Sequence, residues 1–265
     1  MEKSLNPDDG RSQNSIPQLI KSIWVIGNLH LQRRYCGSWL GAAWSWMHPV
    51  VHLLVLWIVF SNLFPAFENY FIYLASGLLP WIFFSQGIQT CSTVLVSNRN
   101  IFISSPVSYE THVLGTLTGE VLHFLVAFLL LILSVPLLGI PLGWHLLAVP
   151  LFLLNLILFT FSWAVIISFL TPIYRDISHF LTLFFTFGFW LMPIVYHWSN
   201  LPPPYKYIVK YNPLTLIISP FQIILHGGVV PNPHLIIISY LTVFTSIWLA
   251  WYVKRQLGKK IIYHL

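Results

Sequence analysis

Residues 145–170 read HLLAVPLFLLNLILFTFSWAVIISFL, a run without a single Asp, Glu, Lys or Arg. About 20 consecutive apolar residues suffice for a helix to cross the hydrocarbon core of a bilayer. This stretch therefore reads as a membrane span, and five others stand around it at 41–63, 71–93, 115–138, 178–197 and 234–253. Glu120 lies inside the third window and leaves the start of that span open. The whole chain agrees. Of 265 residues, 57% are hydrophobic and only 8% are charged, against about 25% charged in ordinary soluble domains. So few charges exclude a soluble enzyme, a disordered chain and a nucleic-acid binder. The net charge of +6 is spread among apolar runs and makes no stripe that tracks a phosphate backbone.

The expected fold is an all-α membrane protein with six transmembrane helices, an amphipathic amino-terminal interface helix, and re-entrant or gate helices between spans five and six. Residues 1–15 form a polar tail without the apolar core of a signal peptide. Residues 16–36 form the interface helix: Ile16, Leu19, Ile20, Ile23, Trp24, Ile26 and Leu31 share one half of the helical wheel, with Gln18, Lys21, Ser22, Asn28, Gln32 and Arg33 on the other. Residues 37–265 make a single transmembrane domain, which leaves no length for a separate catalytic domain. Within it, 198–233 behaves differently. Pro202-Pro203-Pro204 stops any helix, Asn212-Pro213 starts a new one, and the apolar run Leu214–Leu225 is too short to span.

Basic residues set the orientation. With the amino terminus inside, eleven Lys and Arg fall on the cytoplasmic side, and only Lys206 and Lys210 fall outside. Both termini are then cytoplasmic. Cys36 and Cys91 are too few for a disulfide framework.

Chemistry-bearing patterns are sparse. His48 and His52 have the spacing of a helical metal pair, but no Cys, Asp or Glu stands near to complete a site, and the ordinary reading is a helix interface. No GxxxxGK[ST] phosphate loop is present, so nucleotide energy has to come from another chain. Arg175-Asp176 occupies a very short inside loop. It reads either as a local helix cap or as a charge pair offered to a partner. The longer inside loop, Ser97–His112, reads either as a short helix that docks in a partner's groove or as a loop resting on the bilayer. Aromatics are abundant: 12 Trp, 12 Tyr and 20 Phe. Lipid contact and packing are the default for them, and their flat faces also suit a passage for sugars.

These segments resemble the membrane subunit of type-2 ABC exporters for polysaccharide, the O-antigen and teichoic-acid permeases. Arg33-Arg34-Tyr35, then Ser38-x-Leu40-Gly41-x-x-Trp44 and Pro49, look like that family's entry into span one. Tyr73, Gly77, Pro80-Trp81 and Phe83-Phe84 look like its second span, and Tyr174-Arg175-Asp176-Ile177 like its second cytoplasmic loop. Met192-Pro193-Ile194-Val195-Tyr196, Leu201-Pro202 and Asn212-Pro213-Leu214-Thr215 look like span five and the external segment. The similarity covers residues 20–255.

The resemblance implies a homodimer with two cytoplasmic ABC ATPase subunits, which moves lipid-linked polysaccharide across the bacterial cytoplasmic (inner) membrane. It places a coupling helix at Asn98–Pro106, with Asn98, Arg99, Phe102, Ser105 and Pro106 facing the ATPase and Arg175 and Asp176 as a second contact. Arg33 and Arg34 would meet the lipid pyrophosphate. Trp44, Trp46, Trp81, Phe84, Phe185, Trp190 and Tyr196 would line the glycan conduit. The segment 200–230, with Pro202, Asn212 and Pro213, would form the external gate. Family members often carry Phe-Pro-Arg-Glu after the coupling helix, where this chain has Ser105-Pro106-Val107-Ser108. No metal or cofactor is expected on this chain, with ATP and Mg on the partner subunit. The competing readings are a type-2 ABC exporter of lipid or drug and a membrane-embedded glycosyl- or acyltransferase.

Overall fold

The computed structural model describes residues 16–35, 43–63, 68–98, 108–140 and 143–258. Among the described residues every regular element is helical. The helices are α1 (Ile16–Tyr35), α2 (Ala43–Leu63), α3 (Tyr70–Ser92), the single turn α4 (Val94–Ser97), α5 (Tyr109–Ser134), α6 (Val149–Leu170), α7 (Ile177–Leu191), α8 (Tyr205–Lys210), α9 (Pro213–Leu225) and α10 (Pro233–Leu257). Four stretches are long and apolar enough to cross a membrane: Tyr70–Ser97, Tyr109–Leu138, Trp144–Leu170 and Pro233–Leu257. Met47–Leu63, Ile177–Leu191 and Pro213–Leu225 are shorter apolar helices.

Local chemistry explains the helix starts. Ser108 caps α5, its Oγ accepting from the Thr111 N–H at 3.3 Å. This moves the helix start six residues before the expected window and places Glu110 in the first turn, where the helix dipole favours an acid. The Asn-Pro pair is used twice. Asn212 caps α9 by accepting from Leu214 N–H at 2.9 Å, and Asn232 caps α10 by accepting from Leu235 N–H at 2.8 Å. In both cases Pro takes the first helical position, where its missing N–H costs nothing.

The expected fifth window, 178–197, shortens. Met192 is extended (φ −90°, ψ 143°) because Pro193 disfavours a helical conformation in the residue before it, and α7 stops at Leu191. Its 15 residues reach about 22 Å, and the non-helical segment 192–197 continues the path.

Helix α3 is the hub, packed by α2, α5, α6, α7 and α9. Ile72, Leu74, Ala75, Leu78 and Cys91 have no exposed surface at all. Rings fill its seams: Phe83 stacks on Phe124 of α5 at 4.8 Å, and Phe84 stacks on Phe159 of α6 at 5.5 Å. By contrast α5 and α10 turn Leu129, Leu130, Leu133, Leu241, Phe244 and Trp248 outward. Continuous apolar surface of this kind is what lipid covers. The 13-residue α9 is buried along nearly its whole length against α3, α6 and α10. About 20 Å long, it does not reach across a bilayer.

Candidate functional site

Polar chemistry collects at the two ends of the bundle. At one end lie the starts of α4 and α5 and the ends of α6 and α10. Lys254 Nζ pairs with Glu110 Oε1 at 3.0 Å, tying α10 to α5. Tyr109 packs edge-on against Phe169 at 6.4 Å. Asn98 closes α4 there, its Nδ2 donating to Val94 O at 3.0 Å. The turn Thr171–Asp176 follows α6, with Arg175 and Asp176 exposed. Asp176 holds the N-cap position of α7 but makes no side-chain cap bond. The capping reading therefore has no hydrogen bond behind it, and the carboxylate stays available at the surface. Arg99, Phe102, Ser105 and Pro106, and with them most of the expected coupling helix, lie outside the described residues.

Helix α1 lies along α5 through glycine contacts. A methyl group on Gly115 would sit 2.6 Å from Ile26, and one on Gly27 would sit 2.9 Å from the Gly115 carbonyl. Gly115-Thr116-Leu117-Thr118-Gly119 is a GxxxG pattern, which lets helix backbones approach closely. The same contact carries a buried acid. Glu120, 4% exposed, meets His30 Nε2 of α1 and accepts from Thr90 Oγ1 of α3, both at 3.3 Å. An ionisable group at this depth costs several kcal/mol unless polar partners meet it. Three helices are joined at that point. The opposite side of α1 exposes Ile20, Trp24, Val25 and Leu29. Arg33 and Arg34 belong to α1, and Trp44 and Trp46 to α2, but their side chains lie outside the described residues.

Trp81, Phe84 and Phe185 do come together. Trp81 meets Phe185 at 5.9 Å and Phe84 meets Phe185 at 5.8 Å, all three rings buried within the protomer. Trp190 is different: it is half exposed on α7, and its carbonyl accepts from Tyr196 Oη at 3.3 Å. His52 packs against Phe189 at 5.5 Å, a core contact.

The other end of the bundle holds a clasp that the local sequence does not announce. The non-helical backbone at 193–196 presents carbonyls that no helix satisfies. Tyr73 Oη donates to Pro193 O at 2.9 Å and to Tyr196 O at 3.0 Å. Tyr70 Oη donates to Val195 O at 2.8 Å, and Gln222 Nε2 of α9 donates to Pro193 O at 3.0 Å. Gly77 makes room, since a methyl there would sit 2.7 Å from the Gln222 amide. Such backbone is tolerated at membrane depth where protein supplies its partners. The tyrosines stand 120 to 125 residues from their acceptors and Gln222 stands 29 from its own, so no short spacing signal reveals them. The GxxxG pattern of α5 was a legible signal for the α1 contact.

Beside the clasp opens a cavity of about 750 Å³, lined by Tyr73, His197, Trp198, Asn200, Lys210, Tyr211, Ser219, Gln222, His226, Asn232 and His234 among others. It lies at the start of α10, the opposite end of that helix from Lys254. Asn212 and Pro213 start α9 beside it, and Pro202 is exposed on the segment leading to α8. His197 caps the turn Trp198–Asn200, its Nδ1 accepting from Ser199 N–H at 3.3 Å. With Nδ1 accepting there, the ring proton lies on Nε2.

A bundle with a short buried apolar helix and a non-helical segment among its helices, polar at both ends and apolar on its flanks, fits a membrane transport component. The profile of the ABC-2 type transporter family matches residues 21–226, and the chain belongs to that family. The O-antigen export system permease protein RfbA of Klebsiella pneumoniae is 28% identical over 237 residues, covering 88% of this chain and 91% of that protein. A second Klebsiella pneumoniae protein of the same name is 27% identical over the same shares of both chains. The Myxococcus xanthus protein of that name is 26% identical over 209 residues, 76% and 79% of the two chains.

Proposed function

We propose that this chain is the permease subunit of an ATP-driven exporter that moves lipid-linked polysaccharide outward across the bacterial inner membrane. The observation that carries this is the near full-length similarity to O-antigen export permeases at 28% identity. In this reading α2, α3, α5, α6, α7 with 192–197, and α10 make six crossings, and α8 and α9 form the outer gate. Both termini are cytoplasmic, as the basic residues require. Two copies enclose the conduit, and two ABC ATPase subunits engage 98–106 and Arg175-Asp176. Trp190 and Phe187, exposed on α7, offer rings to the passing glycan. Trp81, Phe84 and Phe185 back that wall from inside the protomer. Helix α1 rests at the inner interface, with Ile20 and Trp24 toward lipid and Arg33 and Arg34 toward the pyrophosphate.

Deletion of the encoding gene tests the reading. The expected result is lipid-linked glycan accumulating inside the cell, with surface glycan restored by the wild-type chain. Normal surface glycan in the deletion strain sinks it, and loss of a lipid or drug export trait instead favours the other exporter class. A second expectation concerns coupling. Arg175→Ala with Asp176→Ala should lower export by about tenfold or more while the protein still inserts, as removal of a coupling contact does. Unchanged export and unchanged glycan-stimulated ATP hydrolysis would remove those residues from the coupling surface.

A further inference from the structure

The cavity beside α9 is more basic than its share of the chain explains. Lys206 Nζ lies 5.3 Å from the centre of the Trp198 ring and Lys210 Nζ lies 5.0 Å from it. Lys210 also sits 5.4 Å over the Tyr211 ring. Cation–π contact holds each ammonium, but two like charges converging on one indole repel each other. None of the residues lining the cavity is acidic, and three of them are histidines. His226 of the lining meets a backbone carbonyl, that of Glu68, 2.8 Å from its Nε2. The site is thus a positive concavity with hydrogen-bond donors on its floor and no carboxylate among its lining residues.

Its depth relative to the bilayer also shows. Tyr205, Tyr207, Ile208 and Tyr211 are exposed on and just after α8, between 50% and 66% of their surface free. Exposed tyrosines beside lysines and a tryptophan mark the interfacial belt of a membrane protein, the level at which lipid phosphates lie. Donors, positive charge and interfacial depth coincide here.

We infer that this cavity binds the phosphoryl group of a lipid at the outer face of the membrane, with Lys210 of its lining as the cationic contact, Lys206 adding positive charge from beside it across the Trp198 ring, and His197 Nε2–H and the Asn200 and Asn232 amides as neutral donors. The placement at the outer face rests on the export reading above. Two lipids carry the same chemistry: the pyrophosphate carrier of the exported glycan and an ordinary anionic phospholipid. A site of this kind would hold the head of the carrier as its glycan clears the gate helices.

The test uses the full-length chain in detergent and a radiolabelled polyprenyl pyrophosphate without sugar, so that glycan contacts contribute nothing. The expected result is saturable binding that weakens with added salt. Lys206→Gln with Lys210→Gln should lower the affinity by about tenfold or more, as loss of charged hydrogen-bond partners does. Lys206→Arg with Lys210→Arg should retain it within about threefold. Competition identifies the source: displacement by phosphatidylglycerol assigns the site to bulk lipid, and resistance to phosphatidylglycerol assigns it to the carrier. Either result supports a lipid phosphoryl site. Displacement by inorganic pyrophosphate alone, binding indifferent to salt, or unchanged binding in the double Gln variant overturns it. If the double variant misfolds, the single Lys210→Gln variant and the salt series still decide. Export is scored separately in the deletion strain. A wild-type chain that restores export while the Gln variant binds lipid normally defeats this inference and leaves the export reading standing; a wild-type chain that fails to restore export defeats that reading instead.

Discussion

Gly115→Leu is expected to lift α1 off α5 and to shift the docked fraction of α1 by about a hundredfold. Even a methyl group at this position lies 2.6 Å from both Cβ and Cγ2 of Ile26 and 3.2 Å from the Ile23 carbonyl. Backbone and Cβ atoms cannot swing aside as the end of a flexible side chain does, so the helices must separate. Overpacking of this kind costs about 1–3 kcal/mol or more, and about 1.4 kcal/mol is a tenfold change in an equilibrium. Separation also strips the buried Glu120 carboxylate of its His30 contact. The readout is hydrogen–deuterium exchange of the α1 amides in the detergent-solubilised chain, with export measured in parallel. Gly115→Ala paired with Ile26→Gly removes the clashing atoms and should restore most of the protection. Wild-type exchange in Gly115→Leu would show that α1 does not depend on this contact.

How far the residues announced this structure depends on how local each feature is. Asn212-Pro213 starts α9 because an Asx cap and a first-turn proline act within three residues, and such signals are written in consecutive positions. Ile16–Tyr35 is helical as its periodicity implies. The pattern alone did not say that Ile23 and Ile26 would face α5 while Ile20 and Trp24 face outward, because both pairs lie on one apolar half of the wheel. The helix in the expected fifth window, α7, ends at Leu191 for a reason equally visible, Pro193 acting on Met192. Less legible were the aromatics. Trp81 and Trp190 look alike in composition, yet one is 4% exposed and the other 53%. Only the partners of α3, drawn from five distant helices, decide which ring is wall and which is surface. The Tyr73–Gln222 clasp is the extreme case, since its donors and acceptors meet only after α3, α7 and α9 have packed.

That clasp carries the second large expectation. Tyr70→Phe with Tyr73→Phe keeps every ring and removes two O–H donors, that of Tyr70 to Val195 O and that of Tyr73 shared between Pro193 O and Tyr196 O. Gln222 still donates to Pro193 O, so the carbonyls of Val195 and Tyr196 lose these donors outright. The buried Val195 acceptor without its donor costs about 1–3 kcal/mol, and the part-buried Tyr196 carbonyl adds less. The loss should fall on the join between α7 and α9 rather than on the rest of the bundle, because α3 keeps its apolar contacts with α5 and α6. Thermal unfolding in detergent should therefore move to lower temperature, and hydrogen exchange at residues 194–200 should rise before that of α5. Gly77→Val approaches the same clasp from the other side by pushing on the Gln222 amide, and it should reproduce the local exchange pattern with both tyrosines intact. If both variants melt and exchange as the wild type does, the 193–196 carbonyls have other donors, and the segment is held by the apolar packing of Met192 and Ile194 alone. If both loosen 194–200 and lose export together, the non-helical break after α7 is the joint through which α8 and α9 are held to the bundle.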